Sequence, residues 1–220
     1  MLKTMFAKAQ DRVSCETHAI GAAAALAGGV LLYQRAVRTE APAAALAAAL
    51  CFACSMLALY AASAIYHYYP GSELTGGVKR LLRKMDHSMI YVLIAGSYTP
   101  FCMVLLPQPR GARFCGVLWA VALAGILMKM LWINAPRVLS TLVYLVMGWA
   151  VLFVMPDFMT VGQPCVTMVA LGGVCYSAGA VIYALKRPNI SSEWTFHEIF
   201  HLLILAGSLF HYLAVYFFVL

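Results

Sequence analysis

Seven apolar blocks divide the chain, and their length constrains the fold more than any other feature. They cover about 18–33, 43–66, 86–106, 114–133, 138–155, 165–185 and 197–220, each 16–24 residues long. An α-helix rises 1.5 Å per residue, so about 20 residues cross the ~30 Å hydrocarbon core of a bilayer. A barrel strand needs only about 9–11. In lipid every backbone N–H and C=O must be satisfied internally. The blocks therefore predict an all-α integral membrane protein: one domain, 1–220, of seven transmembrane helices.

Composition supports this class. Hydrophobic residues make up 64% of the chain, charged residues 10%, and the mean hydropathy is +0.85. A soluble domain is about a quarter charged. Residues 1–17 carry Lys3, Lys8, Asp11, Arg12 and Glu16 and no long apolar run. They lack the apolar core of a cleavable signal peptide and read as a short cytosolic arm at the membrane surface.

The formal net charge is +7. Its carriers sit in short loops between apolar blocks, which is the positive-inside bias and not a nucleic-acid surface. One side holds Lys3, Lys8, Arg12, Lys79, Arg80, Arg83, Lys84, Lys129, Arg137, Lys186 and Arg187. The other holds Arg35, Arg38, Arg110 and Arg113. The bias predicts a cytosolic N-terminus and an extracytoplasmic C-terminus, opposite to a G-protein-coupled receptor.

No internal repeat, low-complexity linker or second domain stands out. The seven cysteines are odd in number and mostly inside apolar blocks. Cys51-x-x-Cys54 lacks a second pair or a nearby His, so it reads as packing, and no structural disulfide is expected. Small residues at Gly172-Gly173, Gly179 and Ala206-Gly207-Ser208 permit close helix approach. Thr99-Pro100 predicts a bend in the third helix, because Pro removes a backbone donor.

Ionisable groups inside membrane spans are costly and are functional candidates by default. His67 ends the second block, Asp86 and His87 begin the third, and His197, Glu198 and His201 begin the seventh. The charge bias sets all of these at the cytosolic level. His197 and His201 are i, i+4 and share one helix face, as do Ser63 and His67. Three imidazoles with an open fourth position form a catalytic zinc shell. The alternative, an ordinary interfacial role, suits a lone His such as His18 or His87 better than this set. His211 lies 14 residues beyond His197, about 21 Å along the helix at 1.5 Å per residue. It is out of reach of the same metal and is expected to bond within the core or line a cavity.

His197-Glu198-Ile199-Phe200-His201 also matches H-E-x-x-H, the zinc-protease pattern in which Glu is the base. No Asp or Glu follows Glu198, and the position of the extended pattern's third His is Gly207. Glu198 lies about 100° round the helix from His197. A third ligand has to come from elsewhere, and His67 is the candidate.

Four stretches resemble the bacterial hemolysin III proteins: "ETHAIG" (16–21), "SAIYH" (63–67), "MDHSMIYVLIAGSYTPF" (85–101) and "HEIFHLLILAGSLFHYLAV" (197–215). That family is related to the adiponectin and progestin receptors and more distantly to the alkaline ceramidases. The resemblance implies a seven-helix protein of the bacterial inner membrane, with zinc near the cytosolic face. It implies His67, His197 and His201 as metal ligands, Ser63 and Asp86 in contact with the zinc-bound water, and Glu198 as a chance match.

Such a site suits hydrolysis of an amide or ester in a membrane lipid, and the resemblance implies a role in lipid and fluidity homeostasis. Asp86 would be the general base and Ser63 the hydrogen-bond donor to the developing oxyanion. A lipid sensor with structural zinc, a cytolytic protein and an intramembrane protease are the alternatives. The spans lack the polar stripe of a wide pore, and the protease reading needs Glu198 as base.

Overall fold

The computed structural model describes residues 9–72 and 77–220. Residues 1–8 of the expected arm lie outside them. Seven helical spans follow: α1 (Arg12–Arg38), α2 (Ala43–Tyr68), α3 (Gly77–Pro100, continued by a π-helical segment Phe101–Leu105) and α4 (Arg110–Leu131). Next come α5 (Arg137–Gly148, continued by 3₁₀ turns Trp149–Val154), α6 (Gln163–Leu185) and α7 (Phe196–Phe218). All seven spans are long and apolar enough to cross a membrane, and no strand occurs among the described residues.

Packing follows chain order. α1 lies on α2, α2 on α3, α3 on α4 and α6 on α7, while α7 returns to α1 and closes a ring. α3 also touches α5 and α7, which sets it towards the middle. Exposed Val117, Leu123, Val146, Phe153 and Leu209 face outward, as lipid contact requires. Close approach between helices depends on missing side chains at several glycines. A Cβ on Gly125 would collide with the Tyr91 ring, and one on Gly172 with the His211 ring.

Three helix boundaries differ from the apolar blocks. α1 starts at Arg12, not at His18, so most of the expected arm that is described is helix. Hydropathy undercounts this turn because its polar residues are paired: Arg12 Nε bonds Glu16 Oε1 at 2.8 Å, and Ser14 Oγ donates to Glu198 Oε1 at 2.7 Å. α3 starts at Gly77 because its first turns carry Lys79, which is 2% exposed. The Lys79 ammonium donates to Tyr66 O (2.6 Å) and Tyr69 O (2.8 Å), the orphan carbonyls at the end of α2. The fifth span is not one α-helix: it passes through 3₁₀ and short α turns to Val161. At Thr99-Pro100 the helix does not stop. It widens to π-type spacing over Phe101–Leu105, which absorbs the donor that Pro100 lacks. All seven cysteines are free thiols.

Candidate metal centre

The ends of α2, α3 and α7 meet at one end of the bundle. The last turn of α2 presents His67, and the first two turns of α7 present His197 and His201. One ligand nitrogen from each ring lies within 4.8 Å of the others. His67 Nε2 and His197 Nε2 are 3.2 Å apart. At metal–nitrogen distances of 2.0–2.1 Å and a tetrahedral angle, two ligand nitrogens stand about 3.3 Å apart. The pair is therefore spaced as one edge of a tetrahedral site, and this donor set fits a metal ion.

Neighbours fix which nitrogen faces inward. His67 Nδ1 lies 3.0 Å from Asp11 Oδ2. An ionised carboxylate only accepts, so Nδ1 carries the proton and Nε2 offers its lone pair to the cluster. The same bond to His67 holds the Asp11 carboxyl below its usual range. Asp11 stands at the N-cap of α1 yet makes no side-chain cap bond. Its carboxylate is spent on His67, and its N–H donates to His67 O at 3.1 Å. His201 Nδ1 lies 3.4 Å from Thr17 Oγ1, and the His18 ring stacks on His201 at 3.6 Å and 7°.

Asp86 and Ser63 stand beside the histidines on the wall of a cavity of about 280 Å³. Ser63 Oγ is buried beside the Asp86 carboxylate. Asp86 Oδ2 lies 3.2 Å from His87 Nδ1, which also approaches Arg83 O at 3.0 Å. From this polar end the cavity runs between the helices past Leu93, Phe101, Phe158 and Val169. His211 also lines it. His211 Nε2 donates to Val169 O at 3.2 Å, so the residue both lines the cavity and bonds within the core, away from the cluster.

Glu198 faces elsewhere. Thr195 and Glu198 form a reciprocal capping box at the start of α7, and Ser14 holds the second carboxylate oxygen. It is a cap and a tie to α1. Glu198→Gln is expected to weaken these bonds by roughly 1–2 kcal/mol. The check is a lower melting temperature of the purified protein with the α-helical circular dichroism unchanged at room temperature.

The block pattern did not point to Asp11, Thr17 or Lys79. An acidic residue directly before a helix reads first as a cap, and only the fold shows Asp11 against His67. Lys79 counted only as a loop charge.

A family model described as "Haemolysin-III related" matches residues 6–212. "Hemolysin-3" of Bacillus cereus is 31% identical over 218 residues, 99% of this chain and 94% of that protein. "Hemolysin-3 homolog" of Bacillus subtilis (strain 168) is 36% identical over 168 residues, 76% of this chain and 75% of that protein. More distant is the human "Monocyte to macrophage differentiation factor", 24% identical over 209 residues, 94% of this chain and 83% of that protein. With seven membrane-length helices and these bacterial relatives, the protein is integral to the bacterial plasma membrane. The chain belongs to the haemolysin III-related family.

Proposed function

We propose that this protein is a zinc-dependent hydrolase that cleaves an amide or ester bond of a membrane lipid, in the service of lipid and fluidity homeostasis. The single observation that carries the reading is the three-imidazole cluster, of which His197 and His201 line an otherwise apolar cavity together with Asp86 and Ser63. His67, His197 and His201 would hold the zinc, which would supply Lewis acidity and lower the pKa of water to about 7. Asp86 accepts a proton at a carboxylate oxygen as general base, and His87 orients that carboxylate from 3.2 Å. Ser63 Oγ, buried beside Asp86, donates to the oxygen where negative charge develops. The apolar walls take the acyl chain and exclude water, which strengthens each of these interactions.

Orientation in the membrane follows the charge bias, with the cluster end towards the cytosol. Reporter fusions at both termini check this: a cytosolic C-terminus would reverse it. The decisive test pairs metal analysis with lipid turnover. Purified protein is expected to hold about one equivalent of zinc, lost on chelation, and to release fatty acid from an acylated lipid. Zinc below about half an equivalent, unchanged by chelator, refutes the site.

Asp11→Ala is expected to weaken metal affinity about 10–100-fold, the usual cost of losing a carboxylate behind a histidine ligand. Competition with a chromogenic chelator measures this. Asp11→Asn keeps a hydrogen-bond acceptor and is expected to recover part of the loss.

A lipid sensor with structural zinc is the second reading. It is favoured by the enclosure of the cavity, which can hold a chain without cleaving it. The relatives' name suggests cytolysis, but apolar cavity walls oppose a water-filled pore.

A further inference from the structure

Lys129 is a buried lysine that forms no ion pair among the described residues. It sits in the last turn of α4, is 2% exposed, and its Nζ donates to Ser140 Oγ of α5. No carboxylate pairs with it among the described residues. A charge inside a membrane protein is costly unless an opposite charge shares its surroundings. A hydroxyl alone does not supply that.

Arg83 stands close enough to act on Lys129 electrostatically. Both line the polar end of the cavity, together with Ser140 and Thr141, each 4% exposed. The nearest acid along α3 is Asp86, whose Oδ2 is engaged by His87. Two cations and two hydroxyls thus converge on one cavity wall from α3, α4 and α5.

We propose that this corner is an anion site that seats the phosphate of an acidic phospholipid whose acyl chain enters the apolar cavity. It rests on the reading of the cavity as a lipid chamber and narrows the lipid class. Phosphate offers several acceptor oxygens to an ammonium, a guanidinium and hydroxyls at once, and lysine is a regular phosphate partner as a point charge. Arg83 precedes Asp86 by one helical turn, about 4.5 Å along the axis. A phosphate held here sets the nearby acyl linkage of the same lipid at the level of the histidine cluster. The site also discriminates, since a lipid without net negative charge leaves Lys129 unneutralised.

The test is lipid binding by chelator-stripped protein, so that turnover plays no part. Protein in phosphatidylcholine nanodiscs is titrated with phosphatidylglycerol, and native mass spectrometry counts the lipid retained. Phosphatidylglycerol is expected to be retained about tenfold over phosphatidylcholine, and Lys129→Met to remove that preference. Lys129→Arg restores it, and Lys186→Met, which removes an exposed basic residue outside the cavity, leaves it intact. Equal retention of the two lipids, or an undiminished preference in Lys129→Met, overturns the site. Displacement of the lipid by glycerol phosphate alone assigns the corner to a soluble phosphate and overturns the lipid source. Should Lys129→Met fail to fold, the wild-type preference and its loss in Arg83→Gln decide instead. Lost lipid preference leaves hydrolysis standing, and absent hydrolysis leaves this binding result standing.

Discussion

His67→Ala is expected to release the metal while the helices stay folded. The ring supplies one of three nitrogens, and with His197 it forms the tight 3.2 Å edge of the cluster. Two imidazoles on one helix face remain, which leaves the metal half open to water. The loss of affinity should exceed the 10–100-fold of a residue behind the ligands such as Asp11. The end of α2 has supports that do not involve metal: Lys79 on the Tyr66 and Tyr69 carbonyls and the Asp11 N–H on His67 O. Metal content, chelator competition and thermal melting, measured on one preparation, check the expectation. Zinc retained at full stoichiometry removes His67 from the shell. Zinc lost together with the helical circular dichroism instead favours a structural metal and the sensor reading.

Asp86→Asn is expected to keep the metal and to lower turnover of an acylated lipid by about 10²–10⁴, the usual contribution of a general base. The amide is nearly the size of the carboxylate, so the bond to His87 and the packing of α3 persist, while proton acceptance is lost. Glu198→Gln gives the contrast, with reduced stability and nearly unchanged turnover, because its oxygens are held by Thr195 and Ser14. The reverse pattern, with Glu198→Gln inactive and Asp86→Asn active, would return the protease reading. A wild-type protein that cleaves no lipid amide or ester at full zinc occupancy ends the hydrolase proposal.

The residues differ in how much of their role could be read without the fold. His197 and His201 belong together on spacing alone, since i, i+4 fixes a shared helix face. His67 and Asp86 joined them on a depth inferred from where the apolar blocks end, and the structure places all four at one end of the bundle. Glu198 was separated from the metal by its angular position, but its work as cap and tether was invisible, because Ser14 is 184 residues away. Asp11 read as part of a surface arm, because a polar turn at the edge of an apolar block looks like solvent. It is a helix start whose carboxylate is turned onto His67.

The sequence by itself determined the class, the number of spans, the family and the histidine face of the last helix. The family follows from the four matching stretches, and the rest from hydrophobicity and helical period, which act over one to five turns and need no partner. Only the tertiary structure decided which end of each helix meets which. It set the 3.2 Å approach of His67 to His197 between α2 and α7, the Asp11 carboxylate behind His67, and Lys129 against Ser140. Each of these joins different helices, and in a bundle such contacts are fixed by how ridges, glycine gaps and buried polar groups fit together, not by local pattern.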